Sequence, residues 1–157
     1  MYNIVNNILG ETTTMDELIK LLDPSLDYLD HIIIDNKCII TVESNRKESI
    51  CPYCGMASSK AHSVYKKKFQ DLPIQDNQVI IVIRNRKMFC LNPECSHKTF
   101  SERFDFIHYK ARKTERLIKK ILNLSSRLSS VAASTMLKSD TAAVSKSTIC
   151  RLIKKNP

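Results

Sequence analysis

The chain has 157 residues, of which 43% are hydrophobic and 26% charged, which is the size and composition of one ordinary globular domain or two small ones. Large multidomain enzymes are therefore excluded, and the longest purely aliphatic run, Val79 to Ile83, is too short to cross a bilayer. The N-terminus lacks the basic and apolar regions of a secretion signal, so we expect a cytoplasmic protein with no membrane partner.

The positive charge is concentrated in the last two thirds of the chain. Residues 1–50 have a net charge of −5, residues 51–100 of +5 and residues 101–157 of +9. A field polarised in this way favours a polyanion such as nucleic acid at the basic end. Charge alone leaves open the alternative of a solvated basic face that only keeps the protein soluble.

The first 48 residues predict a helix followed by a β-hairpin. Leucines at i, i+3 and i+4 spacing indicate a helix over 15–22, which Asp23-Pro24 ends. Two β-rich runs, 28–34 and 37–43, are joined at Asp35-Asn36, residue types that tolerate a tight hairpin turn. This segment carries no recognisable chemistry, so we assign it a structural or partner-contacting role.

The next segment, 49–110, predicts a β module with two close cysteine pairs. Strands are expected around 64–69 and 78–89, with a turn at Asp71-Leu72-Pro73. Gly55 follows the first cysteine pair and permits a positive φ in its turn. The pairs have the spacings Cys-x2-Cys and Cys-x4-Cys, and their members are Cys51, Cys54, Cys90 and Cys95.

Two cysteine pairs brought together by a hairpin supply the four soft ligands of a tetrahedral zinc site. Cytoplasmic cysteines are more often metal ligands or core groups than disulfides, so we predict one structural Zn²⁺ per chain on these four thiols. His62 and His97 lie close enough to the pairs to be rival ligands, but four cysteines already suffice. Cys38 and Cys150 are expected to be buried in the core. Four thiolates leave no open position for water, which argues against a zinc hydrolase or deaminase.

Basic and aromatic residues alternate in this module. Residues 65–69, with the sequence Tyr-Lys-Lys-Lys-Phe, are the clearest case. Such interleaving presents cations to phosphates while the rings pack or stack. We predict that Lys66, Lys67 and Lys68 contact a nucleic-acid backbone, and ring packing within the module is the commoner explanation for the phenylalanine.

From residue 111 onward the pattern predicts three short helices. Thr114 caps the first and Ser129 or Ser130 the second, which is followed by a turn region over 138–143. The second helix is expected to face inward through four residues, Val131, Ala132, Met136 and Leu137. The third helix covers 145–155, with Ile149, Leu152 and Ile153 as its buried stripe.

The outer face of the third helix is basic, which is how a recognition helix offers side chains to base edges and phosphates. The residues predicted to contact DNA there are Lys146, Ser147, Thr148, Arg151, Lys154 and Lys155. Many small bundles share this pattern, and the link before residue 145 is longer than a standard helix-turn-helix turn. The helical pattern alone therefore leaves DNA binding open.

The motifs taken together resemble a known family. In order they are Cys-Pro-Tyr-Cys-Gly at 51–55, His-Ser-Val-Tyr at 62–65, Asp-Leu-Pro-Ile at 71–74, Arg-Lys-Met-Phe-Cys-Leu-Asn-Pro-Glu-Cys at 86–95 and Thr-Phe-Ser-Glu-Arg at 99–103. This series resembles the N-terminal region of transposases of the ISL-three insertion-sequence family, in which a zinc-binding module precedes a helix-turn-helix. The resemblance implies that the four cysteines bind zinc, that 145–155 is the last DNA-binding helix, and that the protein recognises terminal inverted repeats.

In that family a catalytic domain with an RNase H-like fold and an acidic metal-binding triad follows the helix-turn-helix. After Lys113 only Glu115 and Asp140 are acidic, so we expect no catalytic site and no enzyme activity here, as in a fragment or a truncated frame. The implied partner is double-stranded DNA at transposon ends, at the nucleoid, with self-association or full-length transposase as further partners. The alternatives are a free-standing zinc-dependent repressor of transposition and an RNA- or ribosome-associated zinc ribbon.

The sequence thus predicts an α+β fold in three units. These are an N-terminal helix and hairpin over 1–48, a zinc-ribbon-like module over 49–110 and an all-α helix-turn-helix unit over 111–157.

Overall fold

The computed structural model describes residues 13–140 and 144–155, which have the predicted α+β fold. In chain order the elements are α1 (Thr13–Leu22), β1 (Leu26–Ile34), β2 (Lys37–Ser44), β3 (Ser49–Ile50), β4 (Ala57–Ser58), β5 (Ala61–Ile74), β6 (Asn77–Phe89), β7 (Thr99–Ser101), α2 (Glu115–Arg127), α3 (Ser130–Asp140) and α4 (Lys146–Lys155). No helix in the described part of the chain has the length and apolar character needed to cross a membrane.

Two antiparallel hairpins build the main sheet. Asp35 and Asn36 form the first turn with φ values of 48° and 57°, so the predicted hairpin is confirmed. The second turn lies at Gln75-Asp76, and the predicted turn at 71–73 is wrong. The strand continues to Ile74 because the pairing register shifts after Asp71, and such a bulge accommodates Pro73, which has no backbone N–H to donate.

The two hairpins join through a parallel pair of strands. The strand order is β1-β2-β6-β5, and β7 adds a short antiparallel contact to β6. Three buried residues of β2 lie opposite three of β6: Cys38 opposite Val79, Ile40 opposite Ile81 and Val42 opposite Ile83. The sheet therefore crosses the predicted boundary at residue 48, since the N-terminal hairpin and the long strands share it.

One face of this sheet carries the largest core. The apolar residues of β2 and β6 pack there with Phe69 of β5. Two segments cover them: α1, through Ile19, and the residues after β7, through Phe104 and Phe106. Burial of Cys38 in this core is confirmed.

The three C-terminal helices pack around a separate core. Its fully buried members are Leu117, Ile121, Ala133, Leu137, Val144 and Ile149. As predicted, Thr114 caps α2, and its side chain accepts a hydrogen bond from the Leu117 N–H at 3.4 Å. The Oγ of Ser129 accepts one from the N–H of Ala132 at 3.2 Å at the start of α3.

The inward face of α3 differs from the prediction. Val131 and Met136 are 55% and 46% exposed, and Ala132 is exposed too, so only Leu137 of the predicted set is buried. The reason is a polar residue that takes an inward position: the Oγ of Ser134 donates to the carbonyl of Val144 at 2.8 Å. The inward face of α3 therefore consists of Ala133, Ser134 and Leu137, and an apolar pattern cannot predict its polar member.

The link between α3 and α4 is shorter than predicted. Residues 138–140 are helical and not a turn, so five residues separate the two helices, and 141–143 lie outside the described residues. In α4, Ile149 is buried as expected, whereas Ile153 is 41% exposed. Cys150 is half-buried and not a full core residue, because it lies to one side of the Ile149 stripe.

A buried carboxylate attaches the helical unit to the sheet. Asp71 on β5 is 1% exposed and accepts hydrogen bonds from Thr114 Oγ1 at 2.5 Å and from Arg116 Nε at 2.8 Å. A further bond to the same guanidinium raises the pKa of Arg116 above its usual value. The backbone of Gln70 adds bonds of 2.9 Å to the carbonyl of Arg112 and the N–H of Thr114, so the start of α2 is fixed to the edge strand.

Candidate metal centre and nucleic-acid interface

The first cysteine pair lies in a tight turn between β3 and β4. The Gly55 N–H donates to the carbonyl of Cys51 at 2.9 Å, and the Cys51 N–H donates to the carbonyl of Met56 at the same distance. Gly55 has a φ of 77°, which a residue with a side chain adopts only at a cost. This turn directs Cys51 and Cys54 toward the same point.

The second pair lies in the turn between β6 and β7. The Cys90 N–H donates to the carbonyl of Lys98 at 2.9 Å, and the Cys95 N–H donates to that of Asn92 at 3.2 Å. The Sγ of Cys95 accepts a hydrogen bond from the N–H of His97 at 3.5 Å. Met88 and Phe100 pack with Cys51 and Cys95 in a small core behind the cluster.

The four sulfur atoms have the spacing that a metal requires. All four Sγ atoms lie within 4.8 Å of one another, and those of Cys54 and Cys90 are 3.5 Å apart. Tetrahedral zinc with bonds of about 2.3 Å sets its sulfur atoms about 3.8 Å apart. The donor set is that of a closed structural site, so the predicted cofactor, one structural Zn²⁺, fits these residues.

The thiols of the cluster differ in acidity. The backbone N–H of Met56 and the neighbouring thiols lower the pKa of Cys54 to about 7, whereas desolvation raises that of Cys90 to about 12. Zinc binds thiolates, so its binding at neutral pH displaces protons from this cluster.

The two rival histidines are occupied elsewhere. The ring of His97 stacks on Tyr53 with centroids 3.4 Å apart, and the ring of His62 packs edge-on against Phe89 at 4.9 Å. Among the described residues, the metal-ligand cluster consists of the four cysteines alone. Four cysteines therefore suffice as the ligand set, as predicted, and neither histidine belongs to it.

A second buried carboxylate supports the metal centre. Glu102, directly after β7, accepts bonds from Arg86 Nε and Nη2 at 3.0 and 2.9 Å and from the hydroxyl of Ser44 at 2.6 Å. Hydrogen bonding to Glu102 raises the pKa of Arg86. Since Arg86 lies on β6 and Ser44 on β2, this network holds the second cysteine turn against the main sheet.

The three lysines predicted to contact a nucleic-acid backbone occupy β5 at the edge of the sheet. Side chains alternate along a strand, so Lys67 shares a face with Tyr65, and its ammonium lies 5.6 Å from that ring. Lys66 and Lys68 are exposed on the opposite face.

The residues predicted to contact DNA from α4 are distributed unevenly around the helix. Ser147, Arg151, Lys154 and Lys155 are exposed on the side opposite Ile149. Thr148 is half-buried beside the helix start, where its N–H donates to Ser145 Oγ at 3.3 Å. Lys146 is exposed at the N-terminal end of α4.

The segment between β7 and α2 holds basic residues that the sequence patterns did not identify. Arg103, Lys110, Arg112 and Lys113 lie there in irregular structure, where no periodicity marks them. Lys113 is half-buried, which lowers its pKa, and it bonds the side chain of Gln70. The signal that could have found the last three is the run His-Tyr-Lys-Ala-Arg-Lys at 108–113.

One region of the chain matches a known family. Residues 47–100 match the ISL-three (ISL3) zinc-ribbon family, described as the zinc-finger of transposase IS204/IS1001/IS1096/IS1165. The match contains all four cysteines, so the resemblance of this region is confirmed, and these residues are similar to the zinc-finger of those transposases. The three helices lie outside the matched residues, and no curated protein or solved structure matches the chain.

Proposed function

We propose that this protein is the DNA-binding portion of an insertion-sequence transposase and binds the terminal inverted repeats of its element. The observation that carries the proposal is the transposase zinc ribbon over 47–100. Its ligand set is closed by four thiolates, so the metal holds the ribbon together and offers no position to a reacting water.

A binding role without strand cleavage agrees with the acidic residues present. Within 13–140 and 144–155, the four cysteines are the only cluster of three or more His, Cys, Asp or Glu side chains placed to hold a metal. Strand transfer by two metal ions needs a set of carboxylates around the ions. We therefore propose that this part of the chain recognises DNA and does not cleave it.

The geometry of α4 supports its role as the recognition helix. Its outer face presents Arg151 and Lys154 to solvent, and a helix of this width fits the major groove, where arginine can bind the O6 and N7 of guanine. The bonds of Asp71 and Gln70 hold the helical unit against β5, so the ribbon and α4 approach a duplex as one body. Because its partner is chromosomal DNA, we place the protein at the nucleoid.

Binding-site selection from random duplex DNA with the full chain tests the proposal. Arg151→Ala should weaken binding to the selected site by about 1–3 kcal/mol and relax the preference at one or two base positions. Lys37→Ala, which removes one exposed charge at the tip of the first hairpin, is the matched control and should leave discrimination unchanged.

Three outcomes would count against the proposal. No enrichment of any duplex by the wild-type chain would overturn the function itself. Wild-type discrimination by the Arg151 variant at matched salt would remove α4 as the reading element. Stronger competition by RNA than by duplex DNA would favour the RNA-associated zinc ribbon instead.

A further inference from the structure

A basic cleft lies between the zinc ribbon and the segment that follows β7. Its volume is about 460 Å³, and its walls are the first cysteine turn, the middle of β5 and residues 101–112. The basic residues in its lining are Lys66, Lys67, Lys68, Arg103, Lys110 and Arg112; Lys67 lies on one face of the edge strand β5, and Lys66 and Lys68 lie on the other. Glu102 is the acidic residue in its lining, and that carboxylate is already paired with Arg86.

A second cleft continues the first toward the helical unit. It has a volume of about 660 Å³ and lies between residues 108–113 and α4, where Arg151 and Lys155 line it. Residues 108–112 form a wall of both clefts. We call the two together the basic groove; it runs from the zinc ribbon to α4.

The charges of the basic groove are not neutralised within the protein. Across the described ranges, no ion pair involves any cation that lines either cleft. The second cleft has no acidic residue in its lining. A concave surface with this excess of positive charge attracts an anion that spans its length, and a polynucleotide backbone is such an anion.

Tyrosine rings hold some of these cations in place. The guanidinium of Arg103 lies 5.0 Å from the ring centroid of Tyr109 and 5.9 Å from that of Tyr53. The ammonium of Lys110 lies 5.1 Å from the same Tyr109 ring. Tyr109 is 63% exposed, and both cations lie beside its ring, so the ring helps to position charges for phosphates.

The backbone of the segment is also fixed before any ligand binds. Lys110 has a φ of 63°, a left-handed conformation that a residue with a side chain adopts only at a cost in free energy. The N–H of Ala111 donates to the carbonyl of His108 at 2.9 Å, and the carbonyl of Arg112 accepts from Gln70. Because this turn is already ordered, its cations can bind a ligand without the entropy cost of ordering a loop.

We propose that the basic groove binds the phosphates of the DNA backbone next to the bases that α4 contacts. This inference rests on the proposed function, since it takes the polyanion to be DNA. Residues 103–112 then form a third contact element between β5 and α4. The contact is independent of sequence, because phosphates are the same at every step, and it sets the register at which α4 meets the bases.

Three substitutions in the full zinc-loaded chain test the groove: Arg103→Gln, Lys110→Gln and Arg112→Gln combined. The matched control carries Lys37→Gln, Lys47→Gln and Lys138→Gln, which remove the same charge outside both clefts. Lys37 pairs with Gln78 and Lys66 with Arg84, so the hairpin tip lies about 20 Å along the sheet from the groove. Zinc content and circular dichroism establish that both variants fold.

Affinity for a 20-base-pair random duplex and for the selected site is then measured against salt concentration. Removal of one phosphate-binding cation should flatten the slope of log K against log salt by about 0.9, and affinity for both duplexes should fall by the same factor. If the groove variant has the same affinity and salt slope as its control, the groove does not bind phosphates. Binding of DNA by the wild-type chain would still support the proposed function in that case. An affinity decrease confined to the selected site also overturns it, because that result indicates base reading.

Tyr109 provides a second and milder test. Tyr109→Leu removes the ring beneath two cations and should flatten the salt slope by a fraction of the effect of one cation, whereas Tyr109→Phe keeps the ring and should restore the wild-type slope. Equal slopes for the leucine variant and the wild type would show that the ring does not position these cations.

Discussion

The zinc ribbon and the three-helix unit are stabilised in different ways. Behind the cysteines of the ribbon, the small core contains, among the described residues, only Met88 and Phe100 besides the cysteines themselves. The helical unit instead buries six aliphatic side chains, among them Leu117, Leu137 and Ile149. A small core cannot offset the entropy of two irregular turns, so metal binding must supply the difference, whereas apolar burial suffices for the helices.

The boundary between these two modes of stabilisation does not coincide with the ends of the ribbon. Strands β5 and β6 begin and end near the cysteines, but their middle sections belong to the main sheet and its apolar core. Metal dependence is therefore confined to the two cysteine turns. The remainder of the long hairpin depends on Val79, Ile81 and Ile83.

Metal removal should have the largest effect and should separate the two regions most clearly. In Cys90→Ser, or after chelation, residues 51–58 and 90–98 should lose protection from amide exchange, because a structural zinc contributes an apparent free energy of about 10–16 kcal/mol. The strand core and α2 should keep their protection in hydrogen-exchange mass spectrometry. Cys150→Ser is the control, and simultaneous loss of protection in the helices would contradict the separation.

A cavity in the helical core should have a smaller effect in the opposite region. Ile149→Ala should lower the free energy of unfolding of the helical unit by about 2–5 kcal/mol without loss of bound zinc, because Ile149 is fully buried. Ile153→Ala on the same helix removes a side chain that is 41% exposed and should cost much less. Denaturant unfolding and zinc analysis measure both quantities, and zinc release by the Ile149 variant would show that the regions unfold together.

The contact between the two regions should give the smallest of the three effects. Asp71→Asn leaves a side chain of the same size in the buried site but weakens the bonds to Thr114 and Arg116. We therefore expect the free energy of unfolding to fall by about 2 kcal/mol. This is less than for removal of a fully buried ion pair, because Arg116 is half exposed. Protection at the start of α2 should fall first. Asp76→Asn in the exposed turn is the control, and a stability equal to that of the control would mean that Asp71 does not join the regions.

The sequence predicts those features that depend on neighbouring residues. The hairpin at Asp35-Asn36, the cap at Thr114 and both cysteine turns depend on a few consecutive side chains, and the spacing of the cysteines alone identifies the zinc ligands. The bulge near Pro73 escaped prediction because the proline signals a turn as readily as a shift in register.

Features that join distant segments could not be predicted in this way. The parallel pairing of β2 with β6 has no local signature, since either strand alone reads as half of a hairpin. The inward face of α3 includes Ser134, whose hydroxyl donates to a carbonyl ten residues away. The basic groove is assembled from the ribbon, the segment before α2 and α4, so its lining becomes apparent only in the folded chain.

Under the proposed function, the buried bonds between β5 and α2 make the protein sensitive to the distance between two sites on the DNA. Asp71 and Gln70 hold the helical unit against β5. The protein therefore fixes the distance between the phosphate contacts of the ribbon and the bases that α4 contacts. One extra base pair between those contacts shifts the second by about 3.4 Å along the duplex and turns it by about 35° around the axis. An element whose ends gain or lose one base pair between these two contacts would lose binding by its own protein until the spacing of the contact surfaces changed too. The length of this interval, as much as its sequence, would then distinguish one element from its relatives.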